Sequence, residues 1–238
     1  MSERRDSYRT WVRFELKRKD GSVIKLRIQD LPSDRIDDAT EFAVNNYMKE
    51  EAIQVAAGIS KNEEAIIEYR EINNSMLERP NMSTVMCCVD DLNTAGEIIG
   101  LSCMDLDKNA EKLKDIVQGM ELKTKEIKNI FHILLTLEDY AGDKAFETYY
   151  GGRGISVHPD YRGLGLANEF VRVRKLICID HKVAMTCAWM TAIGTQKAAA
   201  KNNWKTLAEI SLEDLEKQTG LKFEKKVPSF KYMYTTTD

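Results

Sequence analysis

Two glycines separate a strand-like stretch from a helical pattern near the middle of the chain. The segment reads Arg162-Gly163-Leu164-Gly165-Leu166-Ala167, and apolar residues recur at helical spacing directly after it. Small residues let a backbone approach a ligand closely, and backbone N–H groups converge where a helix begins. The pattern predicts a phosphate site, but a plain strand-to-helix turn accounts for the glycines about equally well.

This segment differs from two common phosphate-binding motifs. No Gly-Lys-Ser or Gly-Lys-Thr follows the glycines, as a P-loop requires. The third small residue also comes too early for a dinucleotide fingerprint, and no βαβ unit precedes it. Neither of those sites is therefore predicted.

Cysteines and histidines are the other residues whose chemistry could define a site. The five cysteines, at 87, 88, 103, 178 and 187, show no CxxC spacing and lie in apolar stretches. The three histidines, at 132, 158 and 181, do not cluster with cysteines or carboxylates at metal-ligand spacing. We expect buried, reduced thiols and no metal site.

Composition indicates an ordinary globular chain. Of its 238 residues, 43% are hydrophobic, which is enough for a packed core. The net charge of −3 comes from acidic and basic residues spread along the chain, so no basic surface for nucleic acid is expected. No apolar run approaches the roughly 20 residues that span a bilayer. We expect a cytoplasmic protein, a monomer or weak dimer, without a membrane or nucleic-acid partner.

The first half of the chain predicts strands and helices in pairs. Alternating apolar residues flank Asp20-Gly21, a dipeptide typical of a tight hairpin turn. Two helices follow: one after Pro32, capped by Ser33 or Asp34 and ending near Met48, and one from the capping-box pattern at Ser60 to Pro80. Strands at 83–89 and 97–106 are predicted to form a second hairpin through residues 90–96.

The second half predicts an alternation of helices and strands. Helical cover is expected within 107–150, and a strand that begins at Ile155 must bend or bulge at His158-Pro159. The further predictions are a helix to about His181, a strand at 182–190, a helix at 195–203, and strands at 206–210 and 229–237. Because no linker or repeat interrupts this order, residues 1–238 are read as one α/β domain with a mixed, mostly antiparallel sheet.

Residues 162–167 resemble the R/Q-x-x-G-x-G/A acetyl-CoA signature of the GCN5-related N-acetyltransferase (GNAT) superfamily. The wording VHPDYRGLGLA is similar to insect arylalkylamine and polyamine N-acetyltransferases. So are the segment IKNIFHILLTLEDYAGDKAFETYY before it and the stretch KEEAIQ after the first helix. With the element order, the resemblance covers about residues 22–234. It implies a GNAT fold in which central strands splay apart around acyl-CoA.

The resemblance also implies residues that bind acetyl-CoA as co-substrate. The expected signature loop is 155–167. Main-chain groups of its strand would hold the pantetheine arm: Ile155, Ser156 and Val157. Backbone amides of its glycine segment would bind the pyrophosphate, with the arginine side chain adding charge: Arg162, Gly163, Leu164, Gly165, Leu166 and Ala167.

The implied reaction is direct acetyl transfer to a small primary amine, an arylalkylamine or a polyamine, in a ternary complex. An ammonium must lose a proton before it attacks a thioester, so a base is required. The family pattern places that base at Glu51, with Glu50 as the competing assignment and a pair of solvated helix-end carboxylates as the simplest alternative. Thr191 and Thr195 stand where the insect enzymes carry serines that are implicated in catalysis.

Three other interpretations stay open at this point. The protein could be a non-catalytic acyl-CoA-binding regulatory protein, or a protein or peptide N-acetyltransferase. Cys187 could carry the acyl group in a ping-pong scheme, although a small buried cysteine is more usual. The sequence does not distinguish the amines, or acetyl from longer acyl groups.

Overall fold

The structure, a computed structural model, describes residues 8–18, 20–90, 96–142 and 145–238. Eight strands of this part form one sheet: β1 (Thr10–Lys17), β2 (Val23–Asp30), β3 (Met82–Val89), β4 (Gly100–Lys108), β5 (Thr148–Val157), β6 (Met185–Met190), β7 (Lys205–Ser211) and β8 (Ser229–Thr236). Their order across the sheet is β1-β2-β3-β4-β5-β6-β8-β7. Neighbouring strands run antiparallel except β5 and β6.

Helices cover both faces of the sheet. They are α1 (Ile36–Phe42), α2 (Ala52–Ala57), α3 (Glu63–Leu77), α4 (Leu113–Gln118), α5 (Lys125–Ala141), α6 (Leu166–His181), α7 (Ile193–Lys201) and α8 (Leu212–Thr219). A π-helical turn, Ala43–Tyr47, continues α1. None of the described helices has the length and apolar character needed to cross a membrane.

Alternation along the strands decides which helices pack on which face. In β3, Val85 and Cys87 pack with the buried residues of α6. Their neighbours Met86 and Cys88 pack instead with residues of α1. A further cluster joins α2, α3, α5 and α8 to the strands at the far edge. The sheet therefore has α6 and α7 on one face and the remaining large helices on the other.

The parallel pair β5 and β6 separates after two residue pairs. Tyr150 lies opposite Thr186 and Gly151 opposite Cys187, and no register continues beyond them. Residues 152–157 of β5 and 188–190 of β6 therefore diverge, and we call these two segments the fork. The mixed sheet with splayed central strands predicted from the sequence is confirmed.

Two details of β5 differ from the sequence-based expectations. Strand β5 begins at Thr148 rather than at Ile155, because glycines in its first half weaken the strand pattern. Its bulge lies at Arg153, between the pairs Cys103–Gly154 and Met104–Gly152. At His158-Pro159 the chain bends instead, because the strand ends at Val157 and a 3-10 turn begins at Pro159. Residues 155–157 are regularly paired with β4.

The short helices α2 and α8 were also absent from the predicted order. Each has six to eight residues, too few for helical periodicity to be distinctive. The cap of α3 is the Asn62 side chain, which accepts a hydrogen bond from the Glu64 amide, and not Ser60. The two N-terminal hairpins form as expected, although residues 91–95 of the second connection lie outside the described residues, as do 1–7.

Candidate active site

The glycine loop, which we define as residues 162–167, joins the end of β5 to α6. Gly163 has a φ of +75° and Gly165 a φ of +94°, backbone angles that residues with a side chain rarely adopt. No heavy atom lies within 4 Å of the position where a Cβ on either glycine would stand. Glycine is therefore required by the backbone conformation, and the space beside the loop is open.

The backbone N–H groups of the glycine loop are arranged in a way that suits an anion. Within the described part of the chain, the N–H groups of residues 163–167 meet no hydrogen-bond acceptor. They stand at the N-terminus of α6, a helix of 16 residues, where the helix dipole favours negative charge. This geometry fits a phosphate or pyrophosphate group.

Arg162 fixes the start of the loop and contacts one of the two candidate bases. Its Nε donates to the carbonyl oxygen of Val157 at 2.9 Å. Its guanidinium forms an ion pair with the carboxylate of Glu50, and both side chains are partly exposed. Glu50 is therefore engaged with the glycine loop.

Residues 155–157 offer main-chain groups along one arm of the fork. Ile155, Ser156 and Val157 pair with β4 on one side. On the other side the pairing with β6 has already ended at Gly151. An open strand edge of this kind can hydrogen-bond an extended ligand.

Glu51 caps α2 with a desolvated carboxylate. Its Oε2 accepts hydrogen bonds from the amides of Ile53 at 2.9 Å and Gln54 at 3.2 Å. Its Oε1 accepts from the hydroxyl of Thr191 at 2.7 Å. Burial raises the pKa of the Glu51 carboxyl, and the hydrogen bonds, led by that of Thr191, oppose part of the rise. Glu51 is thus a capping residue, but not a solvated one.

The adjacent residues Glu50 and Glu51 connect the two arms of the fork. Glu50 contacts Arg162, just beyond the end of β5, and Glu51 contacts Thr191, which directly follows β6. The segment before α2 therefore lies across the open end of the fork. The Glu51 carboxylate and the glycine loop stand on its two sides.

Two buried phenols near Glu51 were missed by the sequence analysis. Burial raises the pKa of both Tyr47 and Tyr69, and the negative charge of Glu51 raises each further. The Tyr47 hydroxyl lies 3.2 Å from the position that a Cβ on Gly154 would take. Tyr47 stands one helical turn before Glu51, and this spacing was the only feature of the sequence that could have placed the two side chains together. Tyr69 lies on α3 and only the fold brings it here.

The structure separates the two threonines that the resemblance placed together. Thr191 bonds to Glu51, whereas the hydroxyl of Thr195 donates to the carbonyl oxygen of Ala192 at 2.9 Å. Thr195 therefore has a local role in the first turn of α7. Among the described residues no group of three potential metal ligands is found.

Cys187 lies inside the sheet and not at the open end of the fork. It is fully buried, and its Sγ lies 2.8 Å from the hydroxyl of Tyr232. That contact raises the pKa of Tyr232, after burial itself. A thiol in this environment is poorly placed to act as a nucleophile.

Comparison with solved structures identifies the fold. A protein described as a candidate arylalkylamine N-acetyltransferase 7 of the yellow fever mosquito Aedes aegypti superposes with a TM-score of 0.78 at 22% identity, over 100% of this chain and 98% of that one. Arylalkylamine N-acetyltransferase 2 of the same mosquito gives 0.71 at 18% identity, over 90% and 99%. The polyamine N-acetyltransferase of Drosophila melanogaster gives 0.67 at 13%, over 89% and 99%.

These likenesses show that the chain has the GNAT fold, as the sequence predicted. No protein-family model matches the chain, and no curated protein sequence matches it significantly. The evidence from comparison is therefore one of architecture. Activity has to be argued from the site.

Proposed function

We propose that this protein is an acetyl-CoA-dependent N-acetyltransferase that acts on a small primary amine. The observation that carries the proposal is the pairing of Glu51 and the glycine loop across one fork. The solved N-acetyltransferases with the same fold support it. Acetyl-CoA would supply the acetyl group as a thioester, the reactive form needed for transfer to an amine.

The residues around the fork fit the shape and charge of that co-substrate. The N–H groups of the glycine loop would bind its pyrophosphate, and Arg162 would add positive charge. Residues 155–157 would hold its pantetheine arm through main-chain hydrogen bonds. The open space beside Gly163 and Gly165 is the room that this binding requires.

Glu51 would remove a proton from the incoming amine, directly or through a water molecule. An alkyl ammonium has a pKa of about 10, so at neutral pH most of the amine cannot attack. Because burial raises the pKa of Glu51, this carboxylate is a stronger base than an exposed glutamate. Thr191 would orient it through the bond to Oε1.

The departing thiolate needs little assistance. A free thiol has a pKa of about 8.5, so a hydrogen bond to the sulfur suffices. The hydroxyl of Thr191 is committed to Glu51, and that of Thr195 to Ala192. Tyr47 is the better donor, because burial keeps its phenol protonated and its hydroxyl lies beside Gly154.

Direct transfer in a ternary complex is favoured over an acylated cysteine. The Cys187 thiol is buried in the sheet and hydrogen-bonded to the hydroxyl of Tyr232. Glu51, by contrast, lies at the open end of the fork. We propose an arylalkylamine or a polyamine as the acceptor, following the substrates named for the similar structures.

The test is a panel of acceptors incubated with acetyl-CoA, with release of free thiol as the readout. Dopamine, agmatine, spermidine and a lysine-containing peptide represent the competing classes. We expect release that depends on a small amine. Binding of acetyl-CoA without release for any acceptor would favour a non-catalytic acyl-CoA-binding protein, and release with the peptide alone would favour a peptide N-acetyltransferase. Either result would overturn the proposal.

A further inference from the structure

Among the described residues, the largest fully buried side chain is an arginine. Arg174 lies in the middle of α6, faces the sheet and is 1% exposed. Its Nε donates to the hydroxyl of Ser102 at 3.0 Å. One terminal nitrogen, Nη2, donates to two carbonyl oxygens, of Gly154 at 2.8 Å and of Cys103 at 3.2 Å.

This guanidinium has no carboxylate partner among the described residues. The groups that act on its charge are neutral thiols and a phenol, at Cys103, Tyr47, Cys178 and Cys187. Burial lowers the pKa of Arg174 to about 10, so the side chain remains a cation at neutral pH. A buried cation without a counter-charge is costly and requires full hydrogen bonding to persist.

The hydrogen bonds of Arg174 converge on the β5 bulge. At this bulge Cys103 pairs with Gly154 and Met104 with Gly152, so Arg153 is the extra residue. A bulge interrupts the ladder and leaves carbonyl groups without strand partners. The carbonyls of Cys103 and Gly154 are the two that Nη2 satisfies.

Glycines make room for the arginine at this point. A Cβ on Gly152 would collide with the guanidinium of Arg174 and would stand 2.6 Å from the Ala188 methyl group of β6. The space beside Gly152 is thus bordered by Arg174 and by Ala188 of β6. The bulge residue Arg153 lies two residues after Gly151, the last residue of β5 that pairs with β6.

We propose that Arg174 is a positioning residue that holds the bulge of β5 and thereby keeps the fork open. Because a bulge bends its strand, it directs residues 155–157 away from β6. The main-chain groups on that edge, apart from the Val157 carbonyl oxygen that accepts from Arg162, then stay available to an extended ligand. The identity of that ligand, the pantetheine arm of acetyl-CoA, rests on the proposed function.

Arg174→Met tests this role by removing the guanidinium while keeping much of the side-chain volume. The exchange removes the desolvation cost of the cation but leaves its buried acceptors without this donor, so folding is checked first by circular dichroism. Hydrogen exchange of the amides of residues 152–157, measured without ligand, should change at least about tenfold in rate. The Kd for acetyl-CoA should rise at least about tenfold, measured by calorimetry.

Arg172→Met is the matched control, since this arginine lies on the same helix but is partly exposed and paired with Glu169. Exchange over residues 152–157 should stay as in the wild type. If Arg174→Met does not fold, Ser102→Ala is used instead, because it removes one acceptor of the guanidinium. The same exchange rates and the same Kd are measured, and smaller changes are expected. Amide exchange rates of residues 152–157 that are the same in Arg174→Met as in the wild type would overturn the inference.

The two readouts separate this inference from the proposed function. Failure of the wild-type protein to bind acetyl-CoA would reject the proposed co-substrate, and the exchange experiment would still report on the bulge. Wild-type exchange in the Arg174→Met variant would reject the role of Arg174 even where acetyl-CoA binds and reacts.

Discussion

The two sides of the proposed site are built in different ways. The glycine loop consists of consecutive residues that present backbone N–H groups to an anion. The cluster around Glu51 consists of side chains, and its members come from the α2 cap, the end of β6, the π-helical turn and α3: Glu51, Thr191, Tyr47 and Tyr69.

This difference decides what each side tolerates. A backbone site depends on conformation and on empty space, so it is sensitive to any side chain at its glycines. A side-chain cluster depends on the atoms of its members, so conservative exchanges can remove one function and leave the fold intact. Variants on the two sides should therefore separate binding from turnover.

The largest effect is expected on the loop side. Gly165→Leu places a side chain in the open space beside the glycine loop and should abolish measurable binding of acetyl-CoA. Loss of two hydrogen bonds to a charged group costs about 3–6 kcal/mol, or roughly 10²–10⁴ in Kd. Isothermal titration calorimetry with acetyl-CoA measures the change.

Gly21→Leu is the matched control for backbone strain. Gly21 has a φ of +87° with nothing within 4 Å of its Cβ position, but it lies in the hairpin between β1 and β2. The Kd of the Gly21→Leu variant for acetyl-CoA should match that of the wild type. Equal losses of affinity in both variants would point to strain and would remove the glycine loop from the site.

A smaller effect is expected from Thr191→Val on the side of Glu51. The exchange removes the hydrogen bond to Oε1, which stabilises the carboxylate, so the pKa of Glu51 should rise further. A hydrogen bond to a charged group contributes about 1.5–3 kcal/mol, so kcat at neutral pH should fall about tenfold or more. The Kd for acetyl-CoA should change little.

Thr195→Val sharpens the comparison between the two threonines. Its hydroxyl bonds to Ala192 and does not reach Glu51, so its effect on kcat should be clearly smaller. A steady-state pH profile of both variants distinguishes them, because only Thr191→Val should move the rising limb to higher pH. A larger loss in Thr195→Val would reverse the assignment.

The smallest effect concerns stability. A raised carboxyl pKa means that the folded protein binds more protons than the unfolded chain between the two pKa values. Stability therefore falls as pH rises through that window, and the cost persists above it. Glu51→Gln cannot ionise, so its Tm should exceed that of the wild type at neutral pH by roughly 2–4 °C.

Thermal scans across pH provide the check on this sign. The difference in Tm should narrow as pH falls below the ordinary glutamate pKa of about 4.3, because the carboxyl is then protonated in both the folded and the unfolded wild type. A Glu51→Gln variant that is less stable than the wild type at neutral pH would show that the hydrogen bonds to the carboxylate outweigh its desolvation.

Most of the fold could be predicted from local patterns. Hairpins, long helices and the strand before the glycine loop follow from periodicity, turn residues and the resemblance to acetyltransferases. Strand β5 was predicted too short because Gly151, Gly152 and Gly154 obscure its pattern, although Gly152 makes room for Arg174 and Gly154 for Tyr47. The glycines that obscure the pattern of β5 in the sequence therefore lie at the bulge where the strand bends.

The candidate site could be predicted only where it is local. Residues 162–167 carry their own signature, whereas the choice between Glu50 and Glu51 depends on contacts made far along the chain, to Arg162 and Thr191. Tyr69 and Arg174 gave no signal at all. Each is a single residue on an amphipathic helix, and its role depends on packing.

The pH dependence of turnover in Glu51→Gln tests the central claim most directly. With saturating acetyl-CoA and an accepted amine, wild-type kcat/KM should rise with pH through the raised pKa of Glu51. The variant should lose at least about 100-fold in kcat together with that rising limb, and keep its affinity for acetyl-CoA. Full activity of Glu51→Gln across pH would contradict the account.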